Sequence, residues 1–145
     1  MALSFNAALA QLICDTYTGR INNGSAQPTP YFVIYKGTVP ANVRTAPAGD
    51  VAPLASVPMA ADAFGDSVVN LGAGYVEATA GTVPDTAATA DGAASFYRQF
   101  DRDGNAIWQG TITGPGGGGD MELSTTAVVT GVNIVVQSYV FRVGL

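Results

Sequence analysis

The sequence predicts a mainly β protein, either a β-sandwich or a small barrel, with one N-terminal α-helix packed against it. Only the N-terminal segment shows the 3.6-residue apolar spacing of a helix. From residue 31 onward, short aromatic and β-branched runs alternate with links rich in Gly and Pro, which is typical of strands and turns. The 145 residues are enough for one core, so we expect a single domain over residues 1–145.

The predicted helix covers about residues 5–18. Ser4 or Asn6 can cap its start, and Gly19 or the cluster at 22–24 can end it. Its apolar stripe must lie on a sheet or on another subunit. The stripe consists of Phe5, Leu9, Leu12, Ile13, Thr16 and Tyr17.

A first strand is predicted at Tyr31–Tyr35, whose two faces are both apolar. The Pro/Ala-rich arm at about 38–60 follows it. Proline cannot donate to a strand ladder, so we expect a long loop there, with at most a short strand near 53–59. Loops this long usually contact something, and we hypothesise that the arm extends onto a neighbouring subunit. An ordinary surface loop is the alternative.

The middle of the chain contains a predicted strand at 67–79, interrupted at Gly72–Gly74 by glycines that are typical of a bulge. The clearest hairpin follows, with strands at 96–100 and 107–113. Asp103-Gly104 lies in its turn at 101–105 and supplies the positive φ of a tight hairpin.

The last third contains a flexible Gly-rich loop at 114–119 and a short strand at 121–123. Residues 132–143 are apolar on both faces, which predicts a central, buried strand. The total is about six to eight strands.

The chain contains few residues that are typical of a catalytic site. Histidine is absent, which removes the commonest general base and metal ligand. Asp101–Asn105 resembles a calcium loop, but Gly104 is fourth where an EF-hand needs glycine sixth, and Ile112 replaces the required Glu. The glycines at 114–119 lack the Gly-Lys-Ser/Thr of a phosphate-binding loop. We therefore expect no enzyme activity, no metal and no cofactor.

Charge and composition limit the partners. Charged residues make up only 12% and the net charge is −5, with Lys36 and scattered arginines but no basic cluster. These features argue against binding to nucleic acid. No apolar run approaches the ~18–20 residues of a membrane helix, and the N-terminus does not resemble a secretory signal. So little charge indicates that partners cover much of the surface, unless that surface is simply rich in Ala, Gly and Thr.

Two smaller features leave alternatives open. Cys14 is the only cysteine, so we interpret it as a small buried residue, with an intermolecular disulfide as the alternative. Aromatic residues gather around the hairpin, where they could grip a glycan. Their alternation predicts core positions for Phe96, Phe100 and Trp108.

Both ends of the chain resemble a group of small tailed-bacteriophage virion proteins. The similarity lies in Met1–Leu9, in Asp15–Tyr17, in the Phe96–Gly104 hairpin, at Gly110 and in Asp120–Thr126. This resemblance covers about half of the chain. It implies a capsid decoration (cement) protein that stabilises the assembled head by binding over contacts between major capsid proteins. A tail, neck or fibre component, or a carbohydrate-binding module displayed on the virion, is the alternative.

The resemblance also implies partners and a location. The partners are the chain itself, as a homo-oligomer and most simply a trimer, and the major capsid protein. The protein would be made in the host cytoplasm and located on the capsid surface, with no nucleic acid or membrane contact. The candidate interface residues come from the helix and the arm: Phe5, Leu9, Leu12, Tyr17, Pro40, Val43, Pro47, Val51 and Pro53.

Overall fold

The computed structural model describes residues 4–145 and confirms a mainly β fold with a single helix packed against a sheet. Twelve strands occur among these residues, more than the sequence predicts, because several are only two residues long. The elements in chain order are α1 Ala7–Arg20, β1 Tyr31–Lys36, β2 Ala52–Pro58, β3 Val68–Asn70, β4 Tyr75–Thr79, β5 Thr86–Ala87, β6 Gly92–Ala93, β7 Phe96–Phe100, β8 Ala106–Thr113, β9 Met121–Leu123, β10 Ala127–Val128, β11 Asn133–Ile134 and β12 Val136–Gly144.

Helix α1 begins and ends two residues later than predicted. Asn6 is its N-cap, and the side-chain oxygen of Asn6 accepts a hydrogen bond from the Leu9 amide at 2.9 Å. The helix continues through Gly19 to Arg20. Gly24 follows with a φ of +113°, so the chain reverses at the second of the two predicted stop signals.

Eight strands form one mixed sheet in the order β2-β1-β7-β8-β9-β12-β4-β3. All neighbouring strands are antiparallel except β8 and β9. Strand β2 lies at one edge, where proline is tolerated because no neighbour needs its missing N–H. The strand that the sequence allows near 53–59 is present as β2, which contains Pro53 and Pro58, while the segment before it forms a loop.

The segment at 67–79 is a hairpin rather than one bulged strand. Strand β3 pairs with β4 through Val69 and Val76. The amide of Gly74 donates to the carbonyl of Asn70 at 3.0 Å, and Gly74 has a φ of +75°. The glycines turn the chain here because a left-handed residue closes the loop.

The main core lies on one face of the large sheet. It contains side chains from β1, β2, β7, β8, β9 and β12. The two small sheets, β10-β6 and β11-β5, contribute to the same cluster, so the sheet encloses one core as in a sandwich. A second, smaller cluster lies between α1 and strands β4 and β12.

The predicted C-terminal strand is divided in the structure. Residues 132–143 form part of β11 and β12, and of these residues only Ile134 and Tyr139 are buried. Val132 is 58% exposed, so the expectation that this whole run is core is wrong. A register shift between Val136 and Ser138 breaks the alternation on which that expectation depended.

Tyr139 joins the two halves of the large sheet. The halves meet where β8 pairs with β9, through only two residue pairs. The hydroxyl of Tyr139 on β12 donates to Gln99 Oε1 on β7 at 2.8 Å. The same hydroxyl accepts from Trp108 Nε1 on β8 at 3.0 Å. The ring of Tyr139 also meets Phe32, Phe64 and Tyr97 edge-on.

The hairpin turn at 101–105 is fastened by Asp101, whose side chain is fully buried. Its carboxylate accepts from the backbone amides of Asp103 and Asn105 and pairs with Arg20 at the end of α1 at 3.0 Å. Burial alone would raise the pKa of Asp101, but the hydrogen bonds from Asn105 and the amides outweigh it and hold the pKa below its ordinary value. The calcium-like sequence is thus a turn with its acceptors already occupied.

Removing the hydroxyl in Tyr139→Phe leaves a buried Trp108 N–H and a buried Gln99 oxygen without this partner. We expect the free energy of unfolding to fall by about 2–3 kcal/mol, because each unsatisfied buried group costs about 1–3 kcal/mol. Urea denaturation measures the loss. Tyr17→Phe is the control, since Tyr17 is 47% exposed and its hydroxyl makes no hydrogen bond among residues 4–145. Equal losses in the two variants would contradict the assignment.

Asp101→Asn should lower the free energy of unfolding by about 1–3 kcal/mol at neutral pH. The folded pKa of Asp101 is below its unfolded value. Its charge therefore stabilises the fold above the unfolded pKa of about 3.9 and ceases to do so as pH falls through the folded pKa. The difference between variant and wild type should shrink in that acidic range. Glu77→Gln, which breaks the surface pair with Arg142, should change stability by under about 1 kcal/mol.

Candidate assembly surface

The inner face of α1 is built from small side chains. Ala10, Cys14 and Thr18 recur every four residues and are buried, Ala10 and Cys14 completely, against β4 and β12. Small residues let the helix backbone approach the sheet closely. The four-residue spacing of these side chains could have predicted the buried face of the helix. This signal was weaker than that of the leucine stripe, because small side chains contribute less hydrophobicity.

The outer face of α1 carries the large apolar side chains. Leu9 is 43% exposed, Leu12 62% and Tyr17 47%. Phe5, the remaining interface candidate from the predicted helix, lies before α1, is half-buried and packs on the small cluster. Tyr17 stacks on Phe141 of β12, with 6.0 Å between ring centroids. The predicted apolar stripe is real, but in this chain its centre faces away from the sheet.

Both charged side chains of α1 are engaged by the body of the protein. Asp15 Oδ1 accepts from the Ser67 amide at 3.2 Å. Arg20 pairs with Asp101. An open groove of about 450 Å³ lies beside this end of the helix, between Tyr17 and Ile107. Asp15 and Arg20 both line this groove, so the exposed ring of Tyr17 lies beside charged groups.

The first part of the predicted arm is a closed loop over its own sheet. The carboxylate of Asp50 accepts from the amide and hydroxyl of Thr38 at 2.9 and 2.8 Å, which brings the ends of the loop together. These two bonds hold the pKa of Asp50 below its ordinary value. Arg98 Nη2 donates to the Thr45 carbonyl, and Gln109 Nε2 donates to the Pro40 carbonyl, both at 2.6 Å.

This clamp was not predicted. Arg98 is only 5% exposed and it forms no ion pair among residues 4–145. The Thr45 carbonyl and Gln109 Oε1 therefore satisfy the buried charge of Arg98, as buried polar groups require. Of the predicted arm residues, Pro40, Val43 and Val51 are half-buried. Pro47 in the loop and Pro53 on β2 are exposed. Contact with a neighbour at these positions stays a prediction.

The hairpin aromatics are engaged within the fold. Phe96 is fully buried and stacks on Tyr35, with 5.0 Å between ring centroids. Phe100 is half-buried and stacks on Tyr31 at the same distance. Trp108 is half-buried and donates its N–H to Tyr139. These aromatics form no open platform of rings of the kind that stacks on sugars.

Residues 4–145 contain no group of three or more His, Cys, Asp or Glu side chains placed to hold a metal ion. The Gly-rich loop is occupied by the chain itself, because the Glu122 carboxylate accepts from the amides of Gly116 and Gly118 at 3.1 and 3.0 Å. These bonds hold the pKa of Glu122 below its ordinary value.

In the described part of the chain, α1 is too short and not apolar enough to cross a membrane.

Comparison with protein-family models, with curated proteins and with solved structures finds no match for this chain.

Cys14 should be inert in the folded protein. Its side chain is fully buried, and burial, reinforced by the nearby charge of Asp15, raises the pKa of the thiol to about 11. The reactive form is the thiolate, so a thiol reagent at neutral pH should modify native protein far more slowly than protein unfolded in urea. A rate in the native protein close to the unfolded rate would contradict this, and Leu12→Cys supplies an exposed cysteine as the positive control.

Proposed function

We propose that this chain is a structural protein of a tailed-phage virion, a capsid decoration protein that stabilises the assembled head by binding over contacts between major capsid proteins. The observation that carries this proposal is that α1 exposes large apolar side chains away from the face that it buries. One face is buried on β4 and β12, while Leu9, Leu12 and Tyr17 remain exposed elsewhere on the helix. Neighbouring large apolar side chains on a surface are typical of a site that another protein covers.

The surroundings of this helix favour assembly over catalysis. The fold satisfies its buried polar side chains internally, apart from Ser67 Oγ in the described residues. The Asp and Glu carboxylates with short contacts, such as Asp101 and Glu122, accept from the chain's own amides. Such groups are not available to act on a substrate. What remains for a partner is apolar surface and the exposed tip of the 38–50 loop.

The resemblance of both chain ends to small phage virion proteins supports a phage head as the place for this surface. A decoration protein acts by many small contacts. Each copy buries modest apolar area, and symmetry repeats that contact over the whole shell. The low charge of the chain is compatible with such use, because an interface core is depleted of charged residues.

The test is binding of the purified chain to phage heads assembled without it. We expect co-sedimentation with assembled heads, no binding to free major capsid protein, and greater resistance of the decorated heads to heat. Electron microscopy of labelled heads should place the chain over the whole shell. Absence of binding to heads would overturn the proposal. Label confined to one vertex would overturn the decoration role and indicate a neck or tail component.

A further inference from the structure

Three places in the chain carry Asn or Asp directly before Gly: Asn23-Gly24, Asp91-Gly92 and Asp103-Gly104. Glycine has no side chain to shield its amide nitrogen, so this nitrogen can reach the Cγ atom of the preceding residue and close a succinimide ring. Asparagine is thermolabile in this setting, because its side-chain nitrogen leaves as ammonia, whereas an ionised carboxylate resists attack. Whether such a site reacts in the folded protein depends on how firmly its side chain and the following amide are held.

The two aspartate sites are held by hydrogen bonds. Asp91 Oδ1 accepts from the amide and the hydroxyl of Thr130, both at 2.7 Å. Asp103 Oδ1 accepts from the amides of Ser25 and Ala26, at 2.9 and 3.2 Å. Each carboxylate would have to break these bonds before it could turn toward the amide that follows it. The fold therefore protects both aspartate sites.

The asparagine site has no such protection. Asn23 is exposed, and its side chain makes no hydrogen bond among residues 4–145. Within the same residues the amide of Gly24 donates to no acceptor, whereas the amide of Gly104 donates to the Asp101 carbonyl at 3.2 Å. The carbonyl oxygen of Asn23, in the same peptide group as the Gly24 nitrogen, accepts from the Arg102 amide at 3.1 Å. This bond stabilises the negative charge of the peptide group when the Gly24 nitrogen loses its proton.

The fold also requires the glycine that makes this site labile. Gly24 has a φ of +113°, a conformation that side chains rarely adopt. A Cβ atom at this position would lie 2.7 Å from Asp103 Cγ and 2.9 Å from the Asp103 backbone nitrogen. Any larger residue at position 24 would clash with the turn of the hairpin.

We propose that Asn23 is a site of spontaneous covalent modification, at which the folded chain loses ammonia and gains an aspartyl or isoaspartyl residue. The Gly24 nitrogen gives up its proton and bonds to Asn23 Cγ, the Cγ–Nδ2 bond breaks, and Nδ2 leaves as ammonia. Water then opens the succinimide ring. Addition of water at Cγ gives aspartate. Addition at the backbone carbonyl carbon gives isoaspartate, in which the main chain runs through Cβ and Cγ. Water is the only other reactant, and nothing is oxidised or reduced.

The isoaspartyl product alters the junction between α1 and the hairpin turn. Its main chain is longer by the Cβ methylene, and the carbonyl that accepts from Arg102 becomes a free carboxylate. The two amides that hold Asp103 follow directly after Gly24. Arg20, which pairs with Asp101, lies just before the altered residue. We expect the longer backbone to disturb these contacts and to loosen the C-terminal end of α1.

The experiment is incubation of the purified full-length chain at mildly alkaline pH, both native and unfolded in urea, followed by peptide mass spectrometry. We expect native protein to convert Asn23 faster than any of the other six asparagines, since glycine follows none of them. Asp91 and Asp103 should isomerise in urea but far more slowly in native protein. Asn23→Ser should abolish the main conversion. Asn133→Ser is the matched control, because Asn133 is exposed as well, and it should convert as wild type does.

A further variant separates the effect of charge from that of the longer backbone. Asn23→Asp carries the charge of the product on an ordinary main chain, and the purified isoaspartyl form should unfold at a lower temperature than this variant. Conversion of Asn23 no faster than that of the other asparagines, or isomerisation of Asp103 as fast in native protein as in urea, would overturn the proposed site. An isoaspartyl form as stable as Asn23→Asp would overturn the effect on α1. These outcomes are measured without phage heads, so they leave the proposed function to its own test.

Discussion

The two hydrogen bonds of the Tyr139 hydroxyl are the interaction that connects the two halves of this fold. The β8–β9 ladder that joins the two halves of the sheet has only two residue pairs. Tyr139 reaches across this weak join to Gln99 and Trp108, which belong to the two strands of the long hairpin. Gln99 in turn donates to the carbonyl of Tyr31 on β1, so one chain of hydrogen bonds connects four strands inside the core.

The two faces of the large sheet are covered in different ways. Tyr139, Phe141 and Val143 alternate along β12 and share one face, on which both the main core and α1 lie. The 38–50 loop covers the other face over β7 and β8. The helix approaches closely because its inner residues are small. The loop is held by Arg98 and Gln109 through polar contacts. Tyr17 stacks on Phe141, but neither cover uses Leu9 or Leu12, and both leucines remain exposed.

The parts of the fold that sequence predicts best are those with local signals. The 96–113 hairpin, the first strand and the existence of one helix follow from alternation, turn residues and spacing within a few residues. The orientation of α1 could not be read in this way, since hydrophobicity ranks leucine above alanine, cysteine and threonine. The helix lies close to the sheet, and the smaller residues fit in the space between them. The Arg98–Thr45 clamp joins residues 53 positions apart, and no local pattern indicates it.

The separation between core and outer surface also bears on how such a chain could evolve an assembly role. The main core, centred on Tyr139 and Phe32, contains none of the exposed side chains of α1 or the β3 hairpin. Substitutions at Leu12 or Val68 therefore alter the exposed surface without removing contacts of the main core. Large exposed apolar side chains favour aggregation unless another surface covers them. The proposed assembly role gives Leu9 and Leu12 a use that the fold itself does not, because neither belongs to the cores.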